Sequence, residues 1–318
     1  MGADWPISYD DLEGACCSAE ATMSISGDGD MAHVMPRSLP FPQPPHRMSP
    51  PDRIMKAAQP HQHFTMPTGR ARQATETRIA YCASLRCRYC PADAKFTVSN
   101  GLMHLFAAPE VSVVTGAEVR HLGHARNSVS SVTYRAGGRD YTASADLFVL
   151  GANAIQTPAI LLRSVLCGGL VGLGLHESHG ASFEVFLDGI ENFDGSTITT
   201  GLNFGLYDGA HPTEHGAALV YFENRWSHGM RVEPERMRPT FPIVIVTEEL
   251  LDDRNRVVLD ADDGAFVEFV GCPTRPFGGG RGTQGTARSS GAPAGPGHLR
   301  SSCPRNRTTP AGDVAGRR

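Results

Sequence analysis

Apolar and polar positions change period along this chain, and the changes mark its elements. Asp146-Leu147-Phe148-Val149-Leu150 is a short apolar run without 3.6 periodicity, the pattern of a strand buried on both faces. Gly151-Ala152-Asn153-Ala154 follows, small residues that let backbone pass close to a ligand. Thr157-Pro158 then predicts a helix start, Thr as N-cap and Pro at the first helical position, continuing through Ile160 and Leu161 to Ser164. Strand, small-residue turn and helix N-terminus suit an anionic or dinucleotide ligand. They equally describe an ordinary βα unit.

Upstream, Ser8 predicts a helix N-cap, with Asp10, Asp11 and Glu13 in its first turns, and Ser26-Gly27-Asp28-Gly29-Asp30 breaks that helix. From Met35 the chain is proline-rich, including Pro40, Pro42, Pro44-Pro45 and Pro50-Pro51, and reads as an extended segment to about residue 74. It holds His46, His61 and His63; the His61-x-His63 pair is able to take a metal but reads as solvated in a Pro-rich loop. Thr75–Ala80 reads as a short strand or an extended lead-in to the cysteines, Val111–Thr115 has strand character, and Gly101–Phe106 helix character. Val119–Leu122 continues as strand, and Val129–Tyr134 and Arg139–Ser144 flank the hairpin signal Ala136-Gly137-Gly138.

After Ser164 the texture changes. Ser182–Asp188, Thr197–Leu206, Ala217–Glu223, Phe241–Thr247 and Arg256–Leu259 are strand-like runs separated by turns such as Asp194-Gly195 and Asp208-Gly209. No long helix lies between most of them, so they predict an antiparallel sheet over 181–270. The fold class is therefore α/β (α+β), with a strand–turn–helix unit and β-meander in 75–180 and a second, antiparallel layer after it.

Composition adds one boundary. Of 318 residues, 40% are hydrophobic and 19% charged, a soluble globular balance. Between Gly271 and Arg318, however, eight Arg stand against one Asp, and the only large aliphatic residues are Leu299 and Val314. That tail is expected to be disordered. It is either a basic interaction tail or the product of a GC-rich gene read in a shifted frame. The formal charge of −4 for the whole chain then leaves −11 for residues 1–270, which points away from nucleic acid and from anionic membrane surfaces. No run of about 18 apolar residues predicts a transmembrane helix. MGADWPISYDD reads as no secretory signal, which makes the cytoplasm the default location. Eight Cys are too sparse for a disulfide scaffold.

The sharpest chemical motif is Cys82-Ala-Ser-Leu-Arg-Cys87-Arg-Tyr-Cys90-Pro91. Three thiols at this spacing suit a [3Fe–4S] cluster, or a zinc site completed by a His. They equally suit a loop of reduced thiols. Arg86 and Arg88 would favour thiolates. His176-Glu177-Ser178-His179, at the junction of the two halves, is either an acid–base element or a polar loop that closes the junction. Asp252-Asp253-Arg254-Asn255-Arg256 reads as a solvated turn, and no G-x-S-x-G supports a serine hydrolase.

In order, these motifs resemble the glucose–methanol–choline (GMC) family of flavin oxidoreductases, from Gly2 to about Phe269. Trp5-Pro-Ile-Ser-Tyr-Asp-Asp-Leu12 is similar to the family's W-P-x-S-Y-x-D-L segment, and Val114–Val119 to the strand whose last Val meets the flavin adenine. Gly151–Ser164 resembles the second family signature, except that Val165 stands where the family has Gly, which weakens the turn after the helix. Val171–His179 resembles the element that leads into the substrate domain. The Cys run, with Ala94-Lys95-Phe96 after it, is similar to that of sugar and polyol dehydrogenases carrying an iron–sulfur cluster.

The resemblance implies an FAD-dependent oxidation of a CH–OH group in a small alcohol or sugar. It implies FAD contacts at Val119, Gly151, Ala152, Asn153, Ala154 and Thr157, a [3Fe–4S] cluster on Cys82, Cys87 and Cys90, and a small or cytochrome partner subunit. It also implies that 1–34 is a helical lead-in, 75–180 a partial FAD-binding domain and 181–270 a substrate domain. The family's strand–G-x-G-x-x-G–helix unit and its C-terminal catalytic His have no counterpart here, so the polypeptide alone is expected to be inactive. The rival readings are a non-enzymatic electron-transfer module around the cysteines and an inert gene remnant.

Overall fold

The computed structural model of the chain describes residues 5–82, 90–126, 128–166, 168–186, 189–190, 199–207, 216–223, 230–233, 236–249 and 251–270. The Arg-rich tail and the turns Asp194-Gly195 and Asp208-Gly209 lie outside these residues.

The first helix, α1 (Tyr9–Met23), starts as the sequence predicts. Ser8 and Asp11 form a reciprocal capping box, and Ser24 closes the helix in the left-handed region at φ 49°. The proline-rich segment is more structured than its composition predicts. Ser49 and Asp52 form a second capping box that opens α2 (Pro50–Ala58), where Pro at the first positions costs no hydrogen bond. Then β1 (His63–Thr65) joins the large sheet. Thr75–Ala80 forms no strand. The expected helix near 101–106 is two single turns, α3 (Val98–Gly101) and α4 (Met103–Phe106).

The meander forms in register. Strands β2 (Glu118–Ala125), β3 (Ser128–Ala136) and β4 (Arg139–Ser144) pair antiparallel, and the β3–β4 turn uses positive φ at Gly137 (56°) and Gly138 (79°). Helix α5 (Asn153–Arg163) packs on β2.

The remaining strands are β5 (His179–Phe186), β6 (Thr199–Asn203), β7 (Ala218–Glu223), β8 (Met230–Glu233), β9 (Arg236–Thr247), β10 (Arg256–Leu259) and β11 (Ala265–Glu268). The large sheet runs β1-β6-β7-β9-β5, with β8 on β9, and β10–β11 is a separate hairpin beside α5. Mixed α/β architecture with an antiparallel layer is thus observed, and every named strand pair among the described residues is antiparallel. The main core is Met31, Phe64, Leu202 and Phe204, with Phe41, Met66, Leu219 and Tyr221 packed around it. A smaller one gathers Ala71, Ala92 and Ala94 with Tyr81 and Cys90.

Two strand expectations fail together. Val111–Thr115 and Asp146–Leu150 are not strands, and Leu147 and Val149 are 77% and 84% exposed. A strand buried on both faces needs neighbours to supply its ladder and cover, and among the described residues neither run is paired in a sheet.

Candidate functional site

Helix α5 carries Asn153, Ala154 and Thr157, three of the six positions expected to meet FAD, and β2 holds it in place. The Ser164 hydroxyl donates to Ile160 O (2.6 Å) and accepts from Leu122 N (2.8 Å). His124 Nε2 lies 3.1 Å from Ser164 O, and Arg163 donates to Arg120 O (2.8 Å) and Asp263 O (3.0 Å). Val119, half-buried on β2 opposite Tyr134, therefore belongs to the same packed unit as α5.

The helix start is not the expected one. Asn153, at φ 66°, caps it by accepting from Ile155 N (2.8 Å) and Gln156 N (3.0 Å). Thr157 lies inside the helix and its hydroxyl accepts from Ala152 N (3.1 Å), while Pro158 sits mid-helix and forfeits one backbone bond. Thr-Pro reads as a cap only if nothing upstream caps better, and Asn153 does. At the other end Val165 N bonds Leu162 O and Leu166 N bonds Leu161 O, a Schellman closure. Val165 takes the left-handed φ of 53° that the closure demands, a strained state for a β-branched residue.

This cap decides how the turn would meet FAD. Three amides of the turn, on Ala152, Ile155 and Gln156, are already satisfied by Thr157 and Asn153. The turn therefore does not fit a pyrophosphate grip, which needs free N–H groups at a helix N-terminus. A Cβ on Gly151 would meet nothing within 4 Å, so the backbone there is open to an approaching ring.

Of the cysteines, Cys82 is exposed and Cys90 is half-buried, its Sγ accepting from Ala94 N (3.2 Å). Cys87 lies outside the described residues. Among the described residues no three His, Cys, Asp or Glu side chains are placed to hold a metal.

The histidines differ most from expectation. His63 is buried, 0% exposed, and not solvated, whereas His61 of the same pair is exposed as expected; His46 is buried too, at 3%. His63 Nε2 lies 3.0 Å from Asp52 Oδ1, and Asp52 Oδ2 accepts from Ser49 Oγ (2.6 Å) and Ser49 N (3.1 Å). The His63 ring packs on Phe222 at 4.6 Å between centroids, and Gly201 on β6 leaves the space that the pair occupies. Fully enclosed, Ser49–Asp52–His63 pins α2 to the large sheet and offers no path to substrate. The signal in the sequence was the capping box Ser-x-x-Asp at 49–52, unused because prolines dominated the reading.

At the junction, Glu177 does not orient its neighbouring histidines. Buried Glu249, just past β9, takes that place: its Oε2 accepts from Glu177 N (2.5 Å) and its Oε1 stands 3.7 Å from His179 Nε2. No local pattern marked Glu249, because it becomes a partner only when β9 pairs with β5. The turn at 252–256 agrees with its reading as solvated for Asp253, Arg254 and Arg256; Asp252 is half-buried, and hydrogen bonds from Arg254 hold its carboxyl down at about 2. Asn255, wholly buried, does not: its Oδ1 accepts from Val270 N (2.8 Å).

No family model matches this chain. It is 25% identical over 313 residues to the fructose dehydrogenase large subunit of Gluconobacter japonicus, covering 86% of this chain and 56% of that protein. The chain thus spans about half the length of the curated relative it matches. Among solved structures it is similar to pyridoxine 4-oxidase from Mesorbium loti, with a TM-score of 0.48 and 15% identity, covering 82% of this chain and 53% of that one. The likeness to the fructose dehydrogenase subunit supports the GMC resemblance carried by the motifs. No helix among the described residues is long and apolar enough to cross a membrane.

Proposed function

We propose that this chain is a portion of a GMC-type flavoprotein oxidoreductase acting on a CH–OH group of a sugar or alcohol, with FAD as cofactor. The observation that carries the reading is the likeness to fructose dehydrogenase large subunit across 86% of the chain. In this reading Val119, Gly151, Ala152, Asn153, Ala154 and Thr157 lie against FAD, and the open backbone at Gly151 supports an approach there. Because the turn's amides are spent on its own cap, the pyrophosphate falls to other residues, and no reaction step is assigned to the described ones. The polypeptide alone is inactive in this proposal. Cys82, Cys87 and Cys90 are the proposed ligands of an iron–sulfur centre, and the amide donated to Cys90 Sγ is the kind of bond that holds a ligating sulfur in place. A small or cytochrome partner subunit belongs to the proposal too, since the relative is by name a large subunit.

Titration of the purified full chain with FAD, read by flavin fluorescence and difference absorption, tests the cofactor. A perturbed flavin spectrum is expected, and an unchanged one at high FAD overturns it. Chemical analysis for iron and acid-labile sulfide decides the cysteines separately. With FAD, fructose and a dye acceptor, no turnover is expected from this chain alone.

A further inference from the structure

Between Cys82 and the proline-rich segment, Arg70, Arg72 and Lys95 gather with no ion-pair partner among the described residues. Arg70 and Arg72 stand two residues apart, Arg70 in a β-bridge and Arg72 in the bend that follows, and the charges of both act on the His46 ring. Each is half-buried, and the Nε of each is sealed from solvent without a hydrogen-bond partner. Lys95 stands opposite Arg70 across an antiparallel bridge, a like-charge pairing that is unfavourable on its own. Among the described residues no ion pair involves either arginine. The acids between residues 70 and 95 are Glu76 and Asp93, and Asp93 Oδ1 already accepts from Asn100 Nδ2 at 2.9 Å.

His46 completes the group. Its Nε2 lies 3.1 Å from the Arg70 carbonyl, which only accepts, so Nε2 carries the hydrogen and Nδ1 is left as an acceptor. That Nδ1 is buried and has no partner. Tyr81 forms a floor: the His46 ring meets it edge-on at 4.6 Å, and the Arg72 guanidinium lies 5.4 Å from its centroid. Burial, and after it the charges of Arg72 and Arg70, push His46 down to about 4, so the imidazole stays neutral beside the two guanidiniums.

Unanswered, half-buried guanidiniums are costly, and a planar fork matches an oxyanion. We propose that Arg70, Arg72 and His46 form a binding site for a phosphoryl-class oxyanion that bears an O–H, the guanidiniums donating to its oxygens and His46 Nδ1 accepting from its hydroxyl. Lys95 adds long-range charge at the rim. Inorganic phosphate carries such an O–H at neutral pH, whereas a phosphate monoester, with a second pKa of about 6, is mostly a dianion without one. Sulfate has none.

Calorimetric titration of the full chain at neutral pH and low ionic strength tests the site without flavin or activity, so its outcome is independent of the GMC reading. Phosphate is expected to bind at least tenfold more tightly than sulfate. Arg72→Gln lowers phosphate affinity tenfold or more, whereas Arg139→Gln, on the exposed strand β4, leaves it unchanged. His46→Phe abolishes the preference for phosphate over sulfate. Should Arg72→Gln not fold, protection of Arg72 in the unmutated chain from phenylglyoxal by phosphate reads the same contact. Glycerol 3-phosphate, mostly without an O–H on its phosphoryl group at neutral pH, is expected to bind more weakly than phosphate, and tighter binding overturns the role given to His46 Nδ1. No phosphate binding, equal binding of sulfate, or equal loss in Arg139→Gln overturns the proposal.

Discussion

Phe64 and Leu147 both belong to short extended runs, yet Phe64 is wholly buried and Leu147 is 77% exposed. Phe64 lies in a three-residue strand that pairs with β6 through Leu202 and is covered by Met31 and Phe204. Leu147 lies in a more apolar run that has no partner among the described residues. Hydrophobicity is thus a poor guide to burial when the covering elements are distant in sequence. A run of one residue type can only ask for burial; neighbouring strands must supply it.

The packed side of this comparison breaks most sharply at Gly201. A Cβ there would collide with Asp52 Oδ1 and come within 2.7 Å of His63 Nε2, forcing apart a buried pair. Gly201→Ala is expected to cost about 1–3 kcal/mol in urea denaturation, the usual penalty for overpacking a filled core. A loss below about 1 kcal/mol would show that the pair relocates easily.

On the other side, Val165 closes α5 in a left-handed conformation while itself 84% exposed. Val165→Gly removes that strain and should raise stability by about 0.5–1 kcal/mol, the gain being trimmed by the extra freedom of Gly in the unfolded chain. A drop in melting temperature would refute the account.

The smallest effect should come from Leu147→Ser with Val149→Ser. Exposed on an unpaired run, both residues contribute little, so stability should change by no more than about 0.5 kcal/mol while aggregation by light scattering falls. A loss above about 2 kcal/mol would mean that the run is covered in solution, and the contrast with Phe64 would disappear.

Local rules were legible. Ser8 with Asp11, the Gly137-Gly138 hairpin and the alternating runs after Ser182 read correctly because each depends on residues within a few positions. The candidate site was legible only in outline. Gly151–Ser164 was marked as a turn and helix, but the rival cap at Asn153 shows only when the hydrogen bonds are placed. Asp52 and Glu249 escaped notice because their partners, His63 and His179, lie eleven and seventy residues away.

By itself the sequence determined the helix caps, the hairpin, the antiparallel character of residues 181–270 and the motif order that resembles a flavin oxidoreductase. Each follows from backbone preference or residue spacing over short range. Only the tertiary structure decided which apolar runs are covered, that His46 and His63 of the proline-rich segment are buried, and that Arg72 and His46 meet over Tyr81. The physical reason is common to all three. Burial and charge compensation are sums over neighbours in space, and the chain brings those neighbours from dozens of residues away.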